Sequence, residues 1–253
     1  MLEEGMNMYE GFANVYDYMM NNIPYDQWFE ALKKYLAGKG ITKGRICELG
    51  CGTGIMTEKF AAAGFSMIGI DNSVDMLAQA KQKQEESGSE ILYINQDMEK
   101  MELDRPADAI ISVCDSVNYL LQDESMSQLF ASVKKNLKPG GYFIFDLKTV
   151  YCYRNLIGNQ TWVEQDEEVS YIWENYFYED QDINEYMLTI FRKQPDSELY
   201  ERIEEAHYQR AYGVELLKEL LEENGLVLEE CFDEDMKHQP DSNSERIYVV
   251  ARA

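Results

Sequence analysis

The residues with the most chemical content lie early in the chain. They are Glu48, the glycines Gly50, Gly52 and Gly54 around Cys51, and two further carboxylates, Asp71 and Asp97. Three alternate glycines let a backbone turn sharply and lie flat against a ligand, because no Cβ holds it off. The helix expected from Ile55 aims its first free N–H groups at that turn. Strand, glycine turn and helix in that order make a nucleotide-type cofactor site at the first strand-to-helix turn of a parallel α/β sheet. Two cofactor classes compete for it. A dinucleotide wants G-x-G-x-x-G, whose third glycine lets the helix pack closely. Counted from Gly50, that position is Ile55, so the fingerprint fails at one of its glycines. Asp71 ends an expected second strand at about the distance of a ribose-binding carboxylate, and would serve either cofactor. Asp97, followed by Met98, ends a third; a carboxylate there accepts from an adenine amino group while the next N–H meets a ring nitrogen. No further phosphate-binding feature follows, which suits a cofactor without phosphate.

Hydrophobic periodicity supplies the elements that must hold these groups. Helical spacing of Phe12, Val15, Tyr16 and Met19 predicts a helix over residues 9–20, and Trp28, Phe29, Leu32, Tyr35 and Leu36 predict a second from about Asp26 to Ala37. Then βα alternation begins. Strands are expected at Arg45 to Leu49, Ser66 to Ile70, Ile91 to Asn95, Ala109 to Val113 and Tyr142 to Leu147. Helices run from Ile55 to Ala63, from an N-cap at Ser73 to about Glu86, and from Ser125 to Leu137, where Pro139-Gly140-Gly141 ends the run. This is an α/β, doubly wound, mostly parallel sheet. Residues 161–210 instead alternate strand-like, with turns at 179–182 and 194–197, and predict an antiparallel meander of three or four strands. A helix at Val214 to Glu223 and strands at Leu226 to Phe232 and Arg246 to Ala251 close the chain. The expected organisation is one domain, 1–253: N-terminal helices (1–40), an α/β core (41–150 and 211–253) and a β insertion (151–210). Its place after the fifth strand, at the ligand-binding edge, makes the insertion a lid over the pocket.

Composition narrows the partners. An apolar content of 45% in 253 residues is enough for a sizeable core. A formal charge of −24 repels nucleic-acid backbones and anionic membranes, so neither is an expected partner. The five cysteines are scattered and odd in number, which argues against a disulfide framework and a zinc site; no metal is expected. Cys47 and Cys114 fall in apolar strands and read as small core residues. No targeting or membrane-spanning stretch is visible, so a cytoplasmic protein, monomer or homodimer, is expected.

Glu48 through Gly54, Asp71, Asp97, the strand ending Val113-Cys114-Asp115 and the stretch Leu137-Lys138-Pro139-Gly140-Gly141 resemble the successive motifs of the class I S-adenosylmethionine-dependent methyltransferases. Tyr9, Phe12-Ala13, Val15-Tyr16-Asp17 and the aromatic meander are similar to the bacterial small-molecule subgroup with glycine and amino-sugar N-methyltransferases. The resemblance implies a Rossmann-like seven-stranded sheet with one antiparallel strand near the end, S-adenosylmethionine as cofactor, and methyl transfer to a small-molecule acceptor. It places the turn Gly50, Cys51, Gly52 and Gly54 under the methionine part and Glu48 at its ammonium. Asp71 would hold the ribose and Asp97 with Met98 the adenine, with Asn72 also among the cofactor-binding residues. The Cys114 backbone would lie near the ammonium, and Tyr16 would reach the carboxylate. Met76 completes the set, though Met76, Met98 and Tyr16 also read as packing residues.

Methyl transfer from a sulfonium needs a held nucleophile more than an acid or base. Asp115, Asn118 and Tyr119 follow the fourth strand and either face the methyl group or brace a short helix. His207 is either a base near neutrality or a hydrogen-bonded structural histidine. Arg210 either binds an acceptor anion or pairs with a nearby glutamate. Tyr171 and Trp173, with Tyr176 and Phe177, either line a pocket for a planar or cationic acceptor or cover the sheet. Two other functions fit a Rossmann-type core: an NAD-dependent oxidoreductase, disfavoured by Ile55, and a non-catalytic cofactor-binding module.

Overall fold

The computed structural model describes residues 13–253. Tyr9, Phe12 and the start of the first expected helix lie outside them. Two helices come first, α1 (Ala13–Met19) and α2 (Tyr25–Gly38). The alternating core follows: β1 (Arg45–Leu49), α3 (Ile55–Ala62), β2 (Ser66–Asp71), α4 (Val74–Ser87), β3 (Ile91–Asn95), β4 (Ala107–Ser112), α5 (Asp123–Asn136) and β5 (Leu137–Lys148). After the insertion come α6 (Val214–Glu223), β10 (Val227–Asp233) and β11 (Arg246–Arg252). The strand order is β10-β11-β5-β4-β1-β2-β3. β11 runs antiparallel to both neighbours, while β1 to β5 pair in parallel. This is the expected seven-stranded, doubly wound sheet with its antiparallel strand near the end.

The sheet is packed on both faces, which is why its inner strands read as continuous apolar runs. On one face α5 and α6 bury Leu129, Phe130, Val133, Leu217 and Leu221 against Phe143 and Phe145, whose rings stack at 4.6 Å. On the other, α2 to α4 bury Trp28, Leu32, Leu36, Met56, Phe60 and Leu77. Ser73 caps α4 as its sequence position predicts, its hydroxyl accepting from Met76 N–H. β5 begins five residues before the expected Tyr142, because Leu137 already pairs with Ala107 ahead of a register shift.

The insertion forms a second, four-stranded antiparallel sheet: β6 (Thr161–Glu164), β7 (Val169–Tyr178), β8 (Ile183–Lys193) and β9 (Tyr200–Arg210). A helical turn at Cys152–Ile157 precedes it, too short for periodicity to reveal. One face is buried, carrying Asn184, Tyr186, Leu188 and Ile190 on β8 and Ile203, Glu205, His207 and Gln209 on β9. Cross-strand register sets Trp173 opposite Leu188 and Tyr186 opposite His207.

Asn118 joins the two sheets. Its side chain, 0% exposed, donates to the carbonyls of Lys148 (3.2 Å) and Arg210 (2.8 Å) and accepts from Lys148 N–H (3.0 Å). Asn118→Ala would leave buried backbone groups unpaired, so it should cost about 1–3 kcal/mol. The check is the urea midpoint; an unchanged midpoint would show the seam to be held elsewhere.

Candidate active site

The glycine turn is built as its residue types require. Gly50, Gly52 and Gly54 have φ of 64°, 53° and 81°, in the left-handed region. A Cβ at Gly54 would overlap the Tyr93 hydroxyl, so this glycine serves packing. A Cβ at Gly52 would meet no protein atom within 4 Å, so the face of the turn that a ligand would approach is clear. Asp71 locks this turn to the next one. Its Oδ2 accepts Gly52 N–H and its Oδ1 accepts Ser73 N–H, both at 2.8 Å. Burial raises the Asp71 pKa from its ordinary value, while those N–H groups pull the other way. Asp97 caps a short turn, accepting Glu99 N–H at 2.9 Å.

β4 ends in a bend at Cys114 and Asp115, whose φ values are 62° and 53°. Two adjacent non-glycine residues in this region cost about 1–3 kcal/mol each and persist only where surroundings enforce them. Asp146 on β5 is the enforcing group. Its carboxylate accepts Asp115 N–H at 2.8 Å and Cys114 N–H at 3.2 Å. Arg246, opening β11, binds both Asp146 and Asp115, the latter at 2.7 Å. Lys148 reaches Asp115 at 3.0 Å, and the Gln209 amide donates to the same carboxylate at 2.9 Å. Burial works against charge on Asp115, but Lys148 and Arg246 outweigh it and hold the carboxyl well below the usual range.

These elements enclose a cavity of about 540 Å³. Of the sequence-predicted residues it gathers Tyr16, Gly50, Gly52, Asp71, Asn72, Met76, Asp97, Met98 and Cys114 along one part, and Asp115, Tyr119, Tyr171, Trp173 and His207 along another. Cys114 lies past the strand, half-buried, rather than in the core, with Tyr16 Oη 4.0 Å from its sulfur. Tyr119 meets His207 edge-on, with ring centroids 6.0 Å apart. Burial pushes the His207 pKa down to about 4, so the ring is neutral at neutral pH.

Seven expected residues do not line the cavity. Glu48 is buried and turned to the first turn of α3, where the Thr57 hydroxyl donates to it. The Cys51 side chain joins the core beneath the turn, and Gly54 caps α3. Asn118 braces the seam. Arg210 points out of the small sheet to Asp123 at 2.7 Å and over the Tyr212 ring, so an acid does pair with it, but an aspartate. Tyr176 is exposed, and Phe177 packs on Tyr153. Sequence reasoning missed Lys148, Tyr186, Gln209 and Arg246, which line the cavity, and Asp146 behind them. The available signal was a charge closing an apolar strand: Asp146 after Tyr142 to Phe145, and Arg246 before Ile247 to Val250. Among the described residues no cluster of acidic, cysteine or histidine side chains is arranged for a metal, the cysteines are free thiols, and no helix is long and apolar enough to cross a membrane.

Burial pushes the Glu48 pKa from 4.5 to about 8, with Asp71 adding to the rise and Thr57 opposing it. The folded state therefore prefers protonated Glu48. That preference is fully present below the unfolded pKa and is lost as pH rises through the folded one. Relative to wild type, Glu48→Gln should gain in Tm from about pH 4.5 to about pH 8. A Tm difference constant over that window would contradict the assignment.

Known proteins resemble the chain along nearly its whole length. A methyltransferase-domain family model matches residues 46–141. The protein named "Putative methyltransferase YqeM" from Bacillus subtilis (strain 168) is 35% identical over 246 residues, covering 97% of each chain. The crystal structure of an S-adenosylmethionine-dependent methyltransferase from Clostridium acetobutylicum ATCC 824 superposes with a TM-score of 0.86 at 28% identity, covering 96% of this chain and 98% of that one. The sugar N-methyltransferase KedS8 from Streptoalloteichus sp ATCC 53650 shares the fold, with a TM-score of 0.77 at 15% identity over 100% of this chain and 96% of that one. The 35% identity along nearly the whole of both chains makes the relationship one of family: this chain belongs to the class I S-adenosylmethionine-dependent methyltransferases, and S-adenosylmethionine is its cofactor.

Proposed function

We propose that the protein methylates a small-molecule acceptor by in-line displacement, with the acceptor held in the aromatic part of the cavity beneath the insertion. The observation that carries the reading is the continuity of one cavity from Gly50, Gly52, Asp71 and Asp97 to Tyr119, Trp162, Tyr171, Trp173, Tyr186 and His207. Bound, S-adenosylmethionine supplies an electrophilic methyl group whose sulfur leaves as a neutral thioether. In this reading Asp71 holds the ribose through its remaining lone pairs, Asp97 and the Met98 N–H read the adenine, and Tyr16, Met76 and Cys114 close around the methionine part.

The chain's remaining task is to hold the nucleophile in line and exclude water. The ring faces of Trp173, Tyr171 and Tyr186 suit a planar or amine-bearing acceptor. The charges of Asp115 and Lys148 are already paired with each other. His207, near 4, is too weak a base to deprotonate an ammonium of ordinary basicity, so an amine acceptor enters the reaction neutral. The insertion is the lid in this reading, because its buried face supplies Trp173, Tyr186, Leu188, His207 and Gln209 to the cavity. A sugar N-methyltransferase with the same fold makes amino sugars a suitable first panel.

The test is release of S-adenosylhomocysteine across amine, hydroxyl and carbon acceptors. Turnover on at least one class is expected, and none, with normal cofactor binding, would favour a binding module. Asp71→Ala should weaken S-adenosylmethionine binding roughly tenfold or more, the loss of a charge-assisted hydrogen bond. Trp173→Ala should instead raise the acceptor KM roughly tenfold and leave cofactor affinity unchanged. Calorimetry and steady-state kinetics separate the two; a Trp173 variant that loses cofactor instead would reverse the assignment.

A further inference from the structure

The bend at Cys114–Asp115 is held by groups outside its own strand. Asp146 and Arg246 come from β5 and β11, and neither belongs to the glycine turn. A peptide unit is planar and trans, so the carbonyl of one residue points opposite to the N–H of the next. Asp115 N–H is anchored on Asp146, 2.8 Å away. The Cys114 carbonyl is therefore directed away from Asp146. Among the described residues no hydrogen-bond donor reaches that carbonyl, whereas the neighbouring Val113 and Asp115 carbonyls accept from Ser116 and Asn118. Cys114 lines the cavity. A carbonyl in this position awaits a donor from a ligand.

The anchor needs its cation. Asp146 is 0% exposed, and as a carboxylate it offers one oxygen to each N–H and still has a lone pair for Arg246. Arg246 stabilises that charge, bridging Asp146 and Asp115 with its two terminal nitrogens. The guanidinium is itself seated over the Trp28 ring, 5.0 Å from its centroid. The fork thus ties the two carboxylates into one rigid unit, which a point-charge lysine would not reproduce.

We propose that Asp146 and Arg246 are positioning residues for the methyl donor: they fix the Cys114 carbonyl toward the cavity as the acceptor for the donor's ammonium group. The inference rests on the reading of Gly50, Gly52 and Asp71 as the donor half of the site.

Calorimetry with two probes tests it. S-adenosylhomocysteine carries the ammonium group; 5′-methylthioadenosine keeps the nucleoside and sulfur but lacks the amino-acid end. Asp146→Asn should weaken S-adenosylhomocysteine roughly tenfold and change 5′-methylthioadenosine by less than about twofold. Arg246→Lys, which keeps the charge and loses the fork, should show the same selectivity with a smaller loss, and serves if the first variant does not fold. Equal losses for both probes, or none for either, would overturn the proposal. Failure of the wild-type protein to bind S-adenosylhomocysteine would instead remove the donor reading, and this inference with it.

Discussion

Four charges, two of each sign and largely shielded from solvent, meet where β4 and β5 end and β11 begins. Asp115 and Asp146 face Lys148 and Arg246. Burying such groups costs several kcal/mol per ion unless each is paired and hydrogen-bonded, and removing one leaves the others exposed to that cost. The strand ends are therefore fixed relative to one another more tightly than backbone pairing alone would fix them. Gln209 of β9 donates to Asp115 and accepts from the Tyr153 hydroxyl, which extends the network into the small sheet and the helical turn before it. The ligand edge of the core and the floor of the insertion are thus one hydrogen-bonded unit, and the cavity's shape follows from it.

The cavity's two parts differ in chemistry. Along the glycine turn, backbone N–H groups and carboxylates predominate, and Asp71 spends a lone pair of each oxygen on Gly52 and Ser73. A rigid, polar cradle of that kind suits a cofactor with many hydrogen-bonding positions. Beneath the small sheet the walls are rings, and the ionised groups are already paired. Such a chamber discriminates by shape and by the faces of its aromatic side chains, and it suits a displacement that develops no anion needing stabilisation. The two parts come from different stretches: the first from residues 16–114, the second mainly from residues 115–209.

That difference explains what was legible in the chain. β1 and β2 are buried on both faces, so they appear in sequence nearly residue for residue. Most residues of the cavity's first part cluster within a few positions of strand ends, where spacing alone locates them. The second part depends on register. On β9 the buried set is Ile203, Glu205, His207 and Gln209, all of one parity, so Arg210 must face the other way. Gln209, not Arg210, shares the buried face of His207. Asp146 and Arg246 were hidden for a different reason. A single charge at the end of a strand looks like the passage into solvent, and only the antiparallel pairing of β5 with β11 shows that they meet inside. Glu48 shows the converse: a strand-end carboxylate two residues before the turn looks aimed at a ligand, yet the start of α3 takes it up through Thr57.

The most direct test of the account is a crystal structure with S-adenosylmethionine or its sinefungin analogue bound. The account predicts the adenosine against Asp71, Asp97 and Met98, the amino-acid end between Gly50, Gly52 and Cys114, and the transferable methyl position facing Tyr119, Trp173 and His207. A nucleoside seated among the rings of the small sheet, or a methyl position facing away from them, would contradict it.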